Sequence, residues 1–195
     1  MPPSLSHSTE RRPFVVVTGI PGSGKTTLAR RVGLLLALEV LDKDDILESL
    51  FEARGVRDWA WRRILSRTSD ELLAAQAAAS NGAMLVSFWR LPGMPRDSGT
   101  PTDWLSRLPG HAITLQCVCA PEVAAARFLA RSRHPGHLDA QKNLPDLVSN
   151  LSFLEGLVPL HVGEVIVVDT AGEVSAEAVA ADLQTAFRRR GTSFM

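Results

Sequence analysis

Lysine, cysteine and long apolar runs are scarce in this chain, and its net charge is zero. Of 21 basic residues only three are lysines, Lys25, Lys43 and Lys142, against 18 arginines, so the place of each lysine is informative. Basic and acidic residues balance at 21 each, so no global field recruits nucleic acid or an anionic membrane. A local basic patch is compatible with that balance. The two cysteines, Cys117 and Cys119, lie two apart in ITLQCVCA, on what reads as a strand. Such close neighbours rarely form a disulfide, and two thiols are too few for a zinc site. They read as buried structural thiols, which fits a reducing cytoplasm. The longest apolar run, VGLLLAL, is too short to span a bilayer. The opening MPPSLSHSTERR is polar and lacks the apolar core of a signal peptide. The expectation is a soluble cytoplasmic protein with a disordered segment over 1–12.

What is present is an ordinary globular balance, 45% hydrophobic and 22% charged in 195 residues. That length suits one domain, expected over 13–190, with a core that needs neither disulfide nor metal. FVVVT at 14–18 is brief, apolar and β-branched, as a buried parallel strand should be. Further strands are expected at 38–42, 83–89, 113–119 and 164–169. Helical patterns fill 25–37, 45–54, 57–79, 121–133, 144–157 and a last stretch from a Ser175 cap to 189. Five strands alternating with helices predict an α/β fold: a parallel sheet covered by helices on both faces, with right-handed crossovers. The tail 191–195 reads as loose.

GIPGSGKT, residues 19–26, carries the chemistry. Gly19, Gly24, Lys25 and Thr26 satisfy G-x-x-x-x-G-K-[ST], a match that random order would give roughly once in 500 chains of this composition. A strand precedes it and a helix follows, and the physics requires both. Glycines at Gly22 and Gly24 let successive N–H groups, including that of Ser23, converge on phosphate oxygens. The helix N-terminus adds partial positive charge. Lys25 reaches the β- and γ-phosphates, the Thr26 hydroxyl is a Mg²⁺ ligand, and Thr27 is expected at the α-phosphate.

The next cluster is LDKDDI at 41–46. In a parallel sheet the C-terminal strand ends gather beside the phosphate loop, so Asp42 and Asp44 fall near it. If the chain is extended there, the two side chains project to one side. A carboxylate so placed orients Mg²⁺ or accepts a proton from an attacking hydroxyl, or else Asp44 or Asp45 caps the following helix; the latter role suits Asp45. GIPGSGKTTLAR followed by DKDD resembles the small P-loop kinases of the AAA_33 type. These include gluconate and shikimate kinases, chloramphenicol phosphotransferase and the 5′-kinase domain of polynucleotide kinase. The resemblance implies a P-loop NTPase fold with a small lid at about 128–145, use of ATP and Mg²⁺, Asp44 as general base and Asp42 as metal-side carboxylate. It departs from many P-loop proteins where the third strand ends, because Ser87 stands near the position of the usual aspartate. That counts against a GTPase switch or a motor.

PEVAAARFLARSRHPGHLD resembles the helix and arginine-bearing lid of the same kinases. The resemblance implies that Arg131 and Arg133 close over the phosphates and that Arg127 stacks on adenine. The alternative is a solvated basic helix end. His134 and His137 read as lid structure, without a third ligand for a metal. VVDTAG at 167–172 resembles the loop that supports the nucleotide base, with Thr170 in contact with it, or simply starts a turn. Arg54, Arg57, Trp59, Trp61, Trp89 and Arg90 are candidates for the acceptor side. At i, i+2 on one helix, Trp59 and Trp61 cannot face the same way, so at least one is core. The leading reading is an ATP- and Mg²⁺-dependent kinase acting on a small-molecule hydroxyl. A polynucleotide 5′-hydroxyl kinase is disfavoured by the neutral charge, and a nucleotide-binding regulator without transfer by the Asp42 and Asp44 pair. The sequence leaves the acceptor and the oligomeric state open.

Overall fold

The structure, a computed structural model, describes residues 12–138, 143–192 and 194. Most of the expected N-terminal segment and part of the expected lid therefore lie outside the described residues. Five parallel strands form one sheet in the order β2-β3-β1-β4-β5: β1 (Arg12–Thr18), β2 (Glu39–Asp42), β3 (Ala83–Val86), β4 (Gly110–Val118) and β5 (Glu164–Asp169). β1 lies at the centre because Phe14 to Val17 are apolar on both faces and fully buried. Its register sets Val17 beside Val86 and Leu115, which brings the ends of β1, β3 and β4 to one edge.

Alternation along the strands divides the core. Val15, Val17, Met84, Ile113 and Leu115 face Leu28 and Val32 of α1 (Lys25–Leu36) and Leu183 and Phe187 of α6 (Ala176–Arg189). Phe14, Val16, Ala83 and Leu85 face Leu73 and Ala77 of α3 (Trp59–Ala79) on the other side. A smaller cluster joins α2 (Lys43–Arg54) to α3 through Leu47, Leu50, Phe51 and Leu65. Another joins α4 (Pro121–Ala130) to α5 (Leu144–Glu155) through Ala125, Phe128, Leu147 and Leu151 beneath Ile20 of the phosphate loop. This is the α/β P-loop NTPase architecture. No helix among the described residues is long and apolar enough to cross a membrane.

Several boundaries differ from expectation. Arg12, assigned to the N-terminal segment, opens β1 opposite Gly110. The tail is not loose throughout: Thr192 is buried and hydrogen-bonded to His111 at 2.9 Å, and the Phe194 ring meets Phe187 edge-on. β3 stops at Val86, because Trp89 turns into the core and donates its indole N–H to the Val17 carbonyl at 2.8 Å. α4 stops at Ala130, since Arg131 is already extended. α2 starts at Lys43, with Asp42 as its cap. Both cysteines are free and buried, and burial pushes the Cys117 thiol up to about 11.

Candidate functional site

The site is built on the turn from β1 into α1. Gly22 has a φ of 86°, and a Cβ there would lie 2.1 Å from the Ala124 carbonyl oxygen. Gly24, in the left-handed region at φ 83°, precedes α1, and no side chain caps that helix. Its first N–H groups are thus left to an external acceptor. Lys25 folds into the loop, and its ammonium donates to the carbonyls of Gly19 and Ile20 at 2.9 Å each. Burial lowers the Lys25 pKa, opposed by Cys117 and then by the carboxylates of Asp44 and Asp42.

Thr26 donates its hydroxyl hydrogen to Asp42 Oδ2 at 2.7 Å, while Asp42 Oδ1 accepts the Asp44 N–H at 2.9 Å. Asp42 is 4% exposed, and burial raises its pKa above the usual carboxylate range. Asp42 therefore performs the capping role expected of Asp45. Asp45 instead receives both bonds from Arg30 at 2.8 Å on the surface. Asp44 sits in the first turn of α2 rather than on an extended strand, half-exposed, with its Oδ2 accepting from Arg133.

These groups share one cleft of about 630 Å³, lined by Gly22, Gly24, Lys25, Thr26, Thr27, Asp42 and Asp44 and, across from them, Arg127, Arg131 and Arg133. The donor set at its floor suits a hard divalent cation. Thr26 Oγ1 and Asp42 Oδ2 lie 2.7 Å apart. A hydroxyl beside a carboxylate is a suitable pair, because Mg²⁺ commonly takes only one or two protein oxygens. Among the described residues no cluster of three His, Cys, Asp or Glu could hold a metal.

Some expected site residues take other positions. The Ser23 side chain is buried and does not line the cleft, and its N–H donates to Ile20 O at 3.1 Å. Thr170 is likewise buried under the loop, its hydroxyl donating to the carbonyls of Ser23 and Val118 at 2.7 and 3.0 Å. Asp169 starts a turn there by accepting the Ala171 N–H. Arg127 clamps that turn, donating to the Thr170 and Ala171 carbonyls at 2.7 Å each. Arg131, off the helix, does not continue the Arg127 face; its guanidinium lies 4.3 Å over the Phe128 ring.

On the far wall Ser87 pairs with Thr100 at 2.6 Å, both buried, where the usual aspartate would stand. Trp89 is core, and Arg90 holds the 91–99 loop by donating to Ser98 and Gly99 carbonyls. Trp59 is exposed, Trp61 packs on the α2 cluster under Arg57, and neither reaches the cleft. Lys43, Arg62 and Ser66 do line it and were not assigned to the site. Lys43 lies 2.7 Å from Asp70 and 3.1 Å from Ser66. Its rarity was the available signal; Ser66 and Arg62 had none.

Known proteins share this framework. A shikimate kinase of Corynebacterium diphtheriae is 51% identical over 39 residues, 20% of this chain and 22% of that protein. The chain thus spans about a fifth of that curated relative's length. A crystal structure from Chloroflexus aurantiacus J-10-fl superposes with a TM-score of 0.73 at 24% identity, covering 90% of this chain and 98% of that one. The shikimate kinase of Bacteroides thetaiotaomicron gives a TM-score of 0.55 at 19% identity, with 90% and 98% covered. At these identities the structures establish the fold. Residues 14–146 match the AAA_33 family model, described as an AAA domain, over more than half of the chain, and the protein belongs to that family.

Proposed function

We propose that the protein is a kinase that moves the γ-phosphate of ATP to a hydroxyl of a small molecule in the cytoplasm, with Mg²⁺. The observation that carries this reading is the placement of the Asp44 carboxylate in one cleft with Lys25 and Thr26. In the transfer, the acceptor oxygen forms a bond to the γ-phosphorus as the bond to the β,γ-bridging oxygen breaks, and ADP leaves. Asp44 takes the acceptor's proton. Lys25 turns from the Gly19 and Ile20 carbonyls to the phosphate oxygens, and the N–H groups of Gly22 and of Gly24 to Thr27 hold the remaining charge. Thr26 and Asp42 would hold Mg²⁺, which would supply neutralisation of the phosphate charge when bound. Arg131 and Arg133 line the side from which they can meet the transferred group. Arg127 supports the turn after β5 and, through it, the edge of the nucleotide site.

The acceptor wall of Lys43, Arg62, Ser66, Ser87 and Thr100 is polar, which suits a hydroxyl-rich compound. A screen of such compounds for ADP release, with Asp44→Asn as control, tests the reading. A hydroxyl compound should stimulate release by the natural protein and not by the variant. Equal stimulation in both would remove Asp44 from its role.

A further inference from the structure

The segment after α4 runs along α2 and makes three contacts with one stripe of it. Arg133 donates to Asp44 Oδ2. His137 Nε2 lies 2.8 Å from Glu48 Oε1. The rings of His134 and His137 meet Phe51, stacked at 5.3 Å and edge-on at 5.7 Å between centroids. Asp44, Glu48 and Phe51 are i, i+4 and i+7, so a single helix face receives the whole segment. The approach is tight: a Cβ on Gly136 would come within 2.4 Å of the Phe51 ring. His137 is 1% exposed, and its Nδ1 has no hydrogen-bond partner among the described residues. That assigns the neutral imidazole with Nε2–H donating to Glu48, because a second N–H would be buried without an acceptor.

We propose that His137, Glu48 and Phe51 are positioning residues that latch this segment onto α2 and so hold the Arg133 guanidinium on Asp44. Its bearing on phosphoryl transfer rests on the reading of Asp44 as proton acceptor. Under that reading, an acceptor hydroxyl that donates to Asp44 Oδ2 competes with Arg133 for it, in the cleft that Lys25 also lines. Arrival of the acceptor and loosening of the Arg133 contact are then coupled.

The latch is testable without acceptor or turnover. In the ligand-free full chain, nitrogen-15 spectra of the arginine side chains report how freely the Arg133 guanidinium rotates. Amide hydrogen exchange reports the opening of 133–138. Glu48→Ala, on a side chain 36% exposed, and His137→Ala should each speed Arg133 rotation and segment exchange by about tenfold. His137→Gln, whose side-chain amide can still donate to Glu48, should restore both. Asp44→Asn should speed Arg133 rotation while leaving exchange at 136–138 unchanged. Arg133 rotation at its natural rate in Glu48→Ala and His137→Ala would overturn the proposal. Failure of the hydroxyl screen would overturn the kinase reading and leave this result standing.

Discussion

The two halves of the cleft are made differently. The phosphate half is a contiguous stretch, Gly19 to Thr27, whose working parts are backbone N–H groups and one lysine, fixed by positive φ at Gly22 and Gly24. The opposite half is assembled from side chains of α2, α3, the 91–100 loop and the segment after α4. There the charges are already engaged with one another, as in Arg133 with Asp44 and Lys43 with Asp70. A backbone cradle recognises what all nucleotides share. A set of side chains held by mutual pairing can change its ligand by exchanging a few residues. In this architecture, chemistry is general on one side and selective on the other.

The largest effect should come from the residue that joins the halves. Asp44→Asn should reduce acceptor-dependent transfer by roughly 10²–10⁴-fold, with ATP affinity by calorimetry unchanged within about twofold. An equal loss of ATP affinity would mean that Asp44 belongs to the phosphate half. Lys25→Met should reduce transfer by roughly 10²–10³-fold and also weaken ATP binding, because the lysine serves ground state and transition state alike. Gly22→Ala is a backbone test of the same half. A methyl would enter the Ala124 carbonyl and strain φ, at a cost of about 1–3 kcal/mol in chemical denaturation. If Gly22→Ala were neutral, the loop would be held by α1 rather than by its own geometry.

The same contrast decides what could be read from the sequence. The sheet, the loop and Lys25 were legible because periodicity and local spacing determine them. Asp44 was legible as a carboxylate near the loop, but not its place on a helix, since Asp42 rather than Asp45 turned out to be the cap. Thr170 was read as a contact of the base and Ser23 as a backbone donor, because a motif does not say which groups the fold has already engaged. Both are buried, and Thr170 bonds to the Ser23 carbonyl across 147 residues. The Arg133 and His137 contacts with Asp44 and Glu48 join positions 89 residues apart. No local pattern encodes a contact of that range between the lid segment and α2.

The smallest predicted effect separates the halves by pH. Burial, then the positive charge of Arg133, lowers the His137 pKa, while Asp44 and Glu48 on α2 act in the opposite direction. The fold therefore favours the neutral ring. The unfolded chain binds a proton near the ordinary value of 6.5, whereas the folded chain resists it until a lower pH. Above the unfolded value the stabilisation is complete, and it declines as pH falls towards the folded value. Between about pH 7.5 and pH 5.5 the melting temperature should drop less in His137→Gln than in the natural chain, because other titrating groups are common to both. ATP affinity compared between the two proteins across the same range should show no such difference, since His137 touches α2 and not the phosphate loop. An equal drop in melting temperature in both proteins would show that α2 holds His137 no more tightly when neutral than when charged.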